Sequence, residues 1–249
     1  MVLRHLFYSD SYTGRIADQI AQQYKVKVEL YRIHNPTFHR WTSSIRRHML
    51  DRDSRQDLLP ASSMLIGGNR WRHHYALNLT NLPIVSLDAH TDMNYDEMIP
   101  LRLIRPYNWL YFKLLEGFET HLVLPHSNFD GGRWDIVMPE KYAGRFHLYS
   151  FDRNKLNTKV SLSIKRSRIV EIEDVEMFPP IPDVNKQISL DWDITRGVQE
   201  SRVEKLVARI VRQDDVCDIW LDEGRRRKRN TIQDHIRYCS KIYEILNSA

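Results

Sequence analysis

Short runs of apolar and β-branched residues recur along the chain, and their lengths are typical of buried strands. There are ten such runs, which in chain order are VLRHLFYS, KVKVELYRI, SSMLIGG, PIVSLDAH, THLVLP, RFHLYSF, KVSLSIK, SRIVEIE, QISLDWDI and VCDIWLDE. Several are flanked by segments with helical spacing, at residues 13–23, 105–117, 198–211 and 231–246. Alternating strands and helices predict a mostly parallel sheet with helices on both faces. Between residues 121 and 173 the helical pattern is weak, and we expect a hairpin or an antiparallel edge there.

The bulk properties limit the class of protein. With 249 residues the chain is long enough for one α/β domain, and we expect a single domain over residues 1–249. Mean hydropathy is −0.52 and no apolar run approaches the roughly 20 residues that cross a bilayer. The sequence therefore predicts a cytoplasmic protein that does not enter the membrane. Cys217 and Cys239 are not part of a CxxC pair, which favours two buried free thiols.

The formal net charge is +5, and much of this excess comes from the run GRRRKRN, with five basic residues at 225–229. Such a run is either a solvated face or a contact for an anionic substrate or a phosphate-bearing partner. The small net charge and the absence of interleaved aromatic residues disfavour a nucleic-acid partner.

Acidic residues follow two of the predicted strands. The stretch PIVSLDAHTDMN places Asp88, His90 and Asp92 two residues apart, and ISLDWDIT places Asp191 and Asp193 in the same spacing. Residues i and i+2 of a strand point to the same face, so each set is expected to converge at a strand end. Ligands of open parallel sheets bind outside the carboxyl ends of the strands, where both sets are expected to lie.

Four carboxylates and one imidazole in a partly buried cleft repel one another unless a cation is present. Oxygen-rich ligation with one histidine suits a divalent metal, Mn²⁺ first, with Zn²⁺ or Fe²⁺ at a site that uses fewer carboxylates. The alternative is that these aspartates only cap the turns and helices that follow strands. The repetition of the pattern after two apolar runs favours the metal.

The two acidic motifs resemble those of a known superfamily. SLDAHTDMN is similar to the DAHxD signature of arginases, agmatinases and formiminoglutamases, and ISLDWDIT is similar to their second signature, SxDxDxxDP. The segment RPYNWLYFKLLEGFETHLVLP further resembles an uncharacterised arginase-like family, in which an ENW helix follows the first motif. The resemblance implies a three-layer α/β/α sandwich around a mostly parallel sheet of about eight strands, as in histone deacetylases.

The resemblance also implies roles for the acidic residues. Asp88 and Asp191 match bridging carboxylates, His90 and Asp193 match ligands of one metal, and Asp92 matches a ligand of a second. This sequence departs from the family at IGGNRW, where Asn69 and Arg70 replace the Asp and His of the GGDHS motif. Two interpretations follow, and we favour the first slightly.

In the first, Arg70 pairs with Asp92, and one metal ion is held by Asp88, His90 and Asp193. In the second, His73 or His74 supplies the lost imidazole, and two ions bind. A helical histidine is more often a surface or core residue than a ligand.

The implied chemistry is hydrolysis of a C–N bond at an amide, amidine or guanidinium carbon, by water that a metal has activated. Asp92 or Asp191 is a candidate base, and His126 is a candidate proton donor to the leaving amine. Candidate substrate contacts are Arg70, Asn108, Asp222 and Glu223.

Arginase itself is disfavoured, because Leu221 stands where that family has the glutamate that holds the guanidinium. The substrate is therefore expected to be an unidentified small molecule, and an anionic one if the basic run contributes. A protein of another class is the alternative, namely a non-catalytic member of the fold that holds an ion and binds a partner or an anionic ligand. No residue indicates an oligomeric state.

Overall fold

The structure is a computed structural model of the chain. It describes residues 5–31, 59–68, 82–93, 107–125, 134–138, 140–151, 160–164, 172–174, 181, 184–221 and 232–248.

The described residues contain eleven strands, which are β1 (His5–Tyr8), β2 (Val28–Leu30), β3 (Ser63–Gly67), β4 (Ile84–Leu87), β5 (Thr120–Leu124), β6 (Trp134–Met138), β7 (Phe146–Ser150), β8 (Val160–Ile164), β9 (Ile172–Asp174), β10 (Gln187–Asp191) and β11 (Val216–Trp220). Nine of them form one sheet in the order β2-β1-β3-β11-β10-β4-β5-β7-β9. Every pairing in it is parallel. The remaining two, β6 and β8, pair with each other in a separate parallel sheet. The chain is therefore an α/β protein, as predicted.

The described helices are α1 (Ser11–Tyr24), α2 (Trp109–Glu116), the short α3 (Glu140–Ala143), α4 (Glu200–Ile210) and α5 (Ile232–Ser248), with a 3₁₀ helix at Trp192–Arg196. The first of these begins at a capping box, in which the Asp10 side chain accepts from the backbone of Thr13 and the Thr13 hydroxyl caps Asp10 in return. Its apolar residues recur at helical spacing and are buried, as Ile16 and Ile20 show. None of the described helices is long and apolar enough to cross a membrane.

The central strands are apolar on both faces, because each face of the sheet carries its own core. Val85, Leu87 and Ile188 belong to one cluster, which contains the buried residues of α1, α4 and α5. Ile84 and Leu122 belong to the other, which contains the buried residues of α2. Continuous apolar strands of this kind are typical of parallel sheets that are covered on both sides.

Two sequence expectations can be compared with these elements. The expectation of a hairpin or antiparallel edge between residues 121 and 173 is wrong for the described strands, because β5, β7 and β9 pair in parallel within the main sheet. Residues 134–138 form a strand that the sequence analysis did not predict. Cys217 and Cys239 are buried free thiols, as expected. The expectation of one domain stays a prediction.

A buried polar network joins β10 to β11 and so fixes the strand that carries the second acidic motif. Asp218 accepts hydrogen bonds from Gln187 Nε2 at 2.7 Å, from Ser189 Oγ at 2.6 Å and from the indole N–H of Trp220. Charge-assisted hydrogen bonds of this kind compensate for the burial of a carboxylate. Burial raises the pKa of Asp218, and these donors oppose that rise.

The approach of β11 to β3 requires a glycine, which gives a test of the packing. A Cβ at Gly67 would overlap the Trp220 ring, whereas a Cβ at Gly144 would meet nothing within 4 Å. We expect Gly67→Ala to lower the free energy of unfolding by about 1–3 kcal/mol, since the core must move to relieve the overlap. Gly144→Ala should change it by less than about 0.5 kcal/mol. Urea titrations followed by circular dichroism measure both, and equal stability of the two variants would contradict this packing.

Candidate metal centre

Two neighbouring strands deliver the acidic motifs to the same edge of the sheet. β4 and β10 are parallel partners, with Ile84 opposite Gln187 and Leu87 opposite Leu190. The first motif begins at Asp88, directly after the last residue of β4, and β10 ends at Asp191 of the second motif. Both motifs therefore emerge at the carboxyl ends of adjacent strands, which is the usual ligand-binding edge of an open parallel sheet.

Tight turns, and not strand alternation, bring the side chains together. The backbone N–H of His90 donates to Asp88 Oδ1 at 2.8 Å, and that of Asp193 donates to Asp191 Oδ1 at 3.1 Å. The expectation that each motif continues its strand is therefore wrong, because β4 stops before Asp88 and Asp193 lies in the 3₁₀ helix. Aspartate commonly ends a strand in this way, since its short side chain bonds the backbone two residues on.

A further hydrogen bond joins the two turns, as the N–H of Ala89 donates to Asp193 Oδ1 at 3.2 Å.

Three potential ligands converge at this point. His90 Nδ1 lies 3.0 Å from Asp193 Oδ2 and 3.5 Å from Asp88 Oδ1. One ligand atom from each of the three residues lies within 4.8 Å of the others. The two carboxylate side chains are only 3% and 1% exposed, whereas the imidazole is 35% exposed. The cluster is therefore closed on its carboxylate side and open to solvent beside His90.

The electrostatics are those of a site that needs a cation. Burial raises the pKa of Asp88, and Asp193 raises it further. Burial, followed by Asp193 and Asp88, raises the pKa of Asp191 well above its ordinary value. Hydrogen bonds to Asp193 and then Asp88 raise the pKa of His90 to about 12. Protonated His90 thus acts as the counter-ion of the carboxylates when no metal is bound.

Asp92 lies at the side of the cluster and is held by α2. The indole N–H of Trp109 donates to Asp92 Oδ2 at 2.6 Å, and the backbone N–H of Tyr111 approaches the Asp92 carbonyl at 3.4 Å. Its backbone is left-handed, with φ 46°, a conformation that aspartate tolerates better than most residues. Burial and then Asp88 raise its pKa well above the ordinary value, while the Trp109 hydrogen bond opposes that rise.

The arrangement fits a divalent ion. Donor atoms bound to one ion at about 2.0–2.2 Å lie roughly 2.9–3.6 Å apart. The separations of His90 Nδ1 from Asp193 Oδ2 and Asp88 Oδ1, at 3.0 and 3.5 Å, fall in that range. Two carboxylates and one imidazole suit Mn²⁺, Zn²⁺ or Fe²⁺. Asp191 and Asp92 interact electrostatically with this group, so the ion would offset the repulsion of all four carboxylates.

The remaining predicted site residues divide into two sets. Arg70, His73, His74, His126, Asp222, Glu223 and the basic run at 225–229 lie outside the described residues. Asn108 directly precedes α2 and is fully buried. Leu221 and Trp192 are both buried in the core.

Sequence reasoning did not predict the contact between Trp109 and Asp92. These two residues are separated by 17 positions and lie on different elements, so no local pattern indicated their hydrogen bond.

No protein-family model and no curated protein matches the chain. Among solved structures, the chain is similar to a proclavaminate amidino hydrolase from Streptomyces clavuligerus, with 12% identity and a TM-score of 0.45 over 75% of this chain. The match spans 64% of that protein's length, which is less than two thirds.

It is also similar to a formimidoylglutamase from Bacillus subtilis subsp. subtilis str. 168, with 11% identity and a TM-score of 0.48 over 99% of this chain and 87% of the other. A third similar structure is described as an agmatinase from Clostridium difficile, with 12% identity, a TM-score of 0.49, and coverage of 99% and 98%. Likeness at this level concerns the fold and assigns no activity to this chain.

The charge cluster predicts an unusual response to pH. A carboxyl group whose pKa is raised on folding contributes stability only at low pH, and that contribution is lost as the pH rises above the unfolded value. Asp191 is such a group, and Asn at this position keeps the oxygen that caps Asp193. We expect metal-free Asp191→Asn to be more stable than the natural chain at pH 8, with the difference vanishing toward pH 4.

Saturating Mn²⁺ should reverse the order at pH 8, because the ion stabilises the natural cluster more. Thermal unfolding with chelator and with Mn²⁺ measures both effects. A metal-free Asp191→Asn chain that is less stable than the natural one at pH 8 would contradict the assignment.

Proposed function

We propose that this chain is a metal-dependent hydrolase that cleaves a C–N bond, of amide, amidine or guanidino type, in a small molecule. The observation that carries the proposal is the position of His90 Nδ1 between Asp193 Oδ2 and Asp88 Oδ1, on the solvent-exposed side of a buried carboxylate cluster. An ion-binding group with one open side is the arrangement of catalytic sites, whereas structural sites are closed by protein ligands. The two acidic motifs, which resemble those of arginases and agmatinases, support the same reaction class.

Asp88, His90 and Asp193 are the residues that we assign to hold the ion. A divalent ion at this place would lower the pKa of the water that it binds toward neutrality. Two of the three ligands are oriented by the backbone, because the N–H of His90 donates to Asp88 and that of Ala89 to Asp193. Such outer contacts fix ligand orientation before the ion arrives. We favour one ion at this centre, since the ligand atoms of these three side chains lie close enough together to share it.

Asp92 is the residue that we assign to accept a proton from water. Its buried position raises its pKa, which makes the carboxylate a stronger base than an exposed aspartate. The indole of Trp109 fixes one oxygen of this carboxylate, at 2.6 Å, and thereby fixes the direction in which the group faces. Trp109 is therefore a positioning residue. Asp191, which interacts electrostatically with Asp193, Asp88 and Asp92, adds to the repulsion that a bound cation would relieve.

The substrate is expected to enter beside His90, because the imidazole is the exposed member of the group. The buried Asn108 directly precedes α2, the helix that carries Trp109. It remains a candidate to contact the substrate. We further propose that His126 donates a proton to the leaving amine. The proposed substrate contacts also include Arg70, Asp222 and Glu223. We propose a cytoplasmic enzyme whose substrate is small, and anionic if the basic run at 225–229 takes part.

The direct test is a metal-dependent assay. Metal-free protein is loaded separately with Mn²⁺, Zn²⁺ and Fe²⁺ and incubated with sets of amides, amidines and guanidino compounds, and released ammonia, amine or urea is measured. We expect hydrolysis in one class, and a loss of about 100-fold or more in Asp193→Asn and His90→Asn because the ion is lost. Asp18→Asn, an exposed change on α1, should keep the full rate.

Electron paramagnetic resonance of the Mn²⁺ form counts the ions at this centre, because two adjacent ions couple and one does not. An ion that binds without hydrolysis in any class would instead favour the non-catalytic, partner-binding alternative.

Trp109→Phe tests the role of Asp92. The change removes the N–H that opposes the rise in the pKa of Asp92, so the acid limb of the pH–rate profile should move to higher pH. We expect the rate to fall by about 10-fold while Mn²⁺ affinity stays the same, since the indole N–H donates to Asp92, which is not one of the three proposed ligands. Rates and Mn²⁺ titrations over pH 5–9 measure this. An unmoved acid limb would remove Asp92 from the mechanism.

A further inference from the structure

A second group of potential ligands lies away from the acidic motifs, near the amino ends of two strands. His121 is the second residue of β5 and His147 is the second residue of β7, and the parallel register places them side by side. Glu119 directly precedes β5. The three residues offer ligand atoms within 4.8 Å of one another.

The Glu119 carboxylate lies beside the Nε2 atoms of both imidazoles. Its Oε1 is 3.3 Å from His121 Nε2 and 3.2 Å from His147 Nε2. Tetrahedral ligation at about 2.0–2.1 Å places ligand atoms roughly 3.3–3.4 Å apart, which these separations match. The two rings are stacked, with centroids 4.5 Å apart and an angle of 8° between planes, so both Nε2 atoms lie on the side of Glu119.

The surroundings of His121 are those of a typical metal-binding histidine. Its side chain is 1% exposed, and its Nδ1 is hydrogen-bonded to the Tyr149 hydroxyl at 3.0 Å. Its Nε2 is buried and has no hydrogen-bond partner among the residues that the structure describes, although it faces Glu119. When Nδ1 carries the proton and donates it to Tyr149, Nε2 presents a lone pair toward Glu119 and His147. A hydrogen bond at one ring nitrogen that prepares the other for a metal is the common outer arrangement of histidine ligands.

We propose that Glu119, His121 and His147 form a second metal site, which takes a borderline transition-metal ion, Zn²⁺ foremost, with an open fourth position. Two imidazoles and one carboxylate form a ligand set that binds Zn²⁺ with water in the fourth position. The set is richer in nitrogen than the acidic centre and should discriminate against Mn²⁺. Glu119 and His147 side chains are 41% and 39% exposed, so the ion and water can enter from solvent.

The charges around this group are compatible with a cation. Burial, followed by the neighbouring His147 and Lys186, lowers the pKa of His121 to about 3. Lys186 repels a cation from the same face of the sheet. Its Nζ lies 3.1 Å from Asp215 Oδ2, and this buried ion pair reduces the repulsion.

The site is separate from the proposed catalytic centre and does not rest on the proposed function. His121 is opposite Val85 in the sheet, three residues before Asp88. At about 3.3 Å per residue this is a separation of roughly 10 Å along the strand. An ion held by His121 and His147 would join β5 to β7 and could be removed without touching the acidic motifs.

The test is a count of Zn²⁺ in variants of the full chain. Chelator-treated protein is titrated with Zn²⁺ alone, and the bound metal is measured after gel filtration. His147→Asn and Glu119→Gln should each bind one Zn²⁺ per chain fewer than the natural protein. His5→Asn, a partly buried histidine of β1 outside both groups, should bind as many. Asp193→Asn should lose a different ion, so that its combination with His147→Asn loses both.

A second measurement uses the unaltered protein, so that the result does not depend on how the variants fold. Imidazole ¹⁵N spectra should show Zn²⁺ shifting Nε2 of His121 and of His147. The proposal is overturned if both variants bind as much Zn²⁺ as the natural chain, or if neither Nε2 resonance moves at saturating Zn²⁺. A natural chain that binds Zn²⁺ at this site but no ion at the acidic centre would contradict the proposed function alone.

Discussion

The mutual repulsion of buried carboxylates at one edge of the sheet is the constraint on which the candidate site depends. Asp88, Asp191 and Asp193 follow two adjacent parallel strands, and Asp92 lies against Asp88. Charges so close in a poorly solvated place cost several kcal/mol unless a cation is among them. His90 lies between two of the carboxylates, and its hydrogen bonds to Asp193 and Asp88 raise its pKa to about 12, which favours a protonated imidazole as the counter-ion. A divalent ion would replace that proton and bind the same atoms.

The rest of the fold holds these groups in place. The network around Asp218 fixes β10 against β11. Gly67 of β3 has no side chain, which leaves room for the Trp220 ring of the neighbouring β11. Trp109 belongs to the core of one face and also donates to Asp92, so the packing of α2 determines the direction of a polar group. A site built on rigid elements in this way keeps its ligands near their working geometry.

Much of the fold was predictable, because apolar runs and helical spacing are local signals. The strand at residues 134–138 was missed, and an antiparallel edge was wrongly expected, since strand direction depends on partners far along the chain. Asp88, His90 and Asp193 were predicted correctly as neighbours, but for the wrong geometric reason. The side chains of Asp88 and Asp191 accept hydrogen bonds from the backbone and turn the chain. These aspartates therefore cap turns, as the alternative interpretation held, and the two motifs also converge. The pair of His121 and His147 had no local signal, because 26 positions separate them and only the register of β5 with β7 brings them together.

The most direct measurement of the central claim is anomalous X-ray diffraction from crystals of the protein grown with Mn²⁺. The account predicts a manganese peak within about 2.4 Å of His90 Nδ1, of a carboxylate oxygen of Asp88 and of one of Asp193. A fully occupied peak elsewhere, with none at this place, would contradict it, and so would an imidazole of His90 still bonded to both carboxylates in the presence of saturating metal.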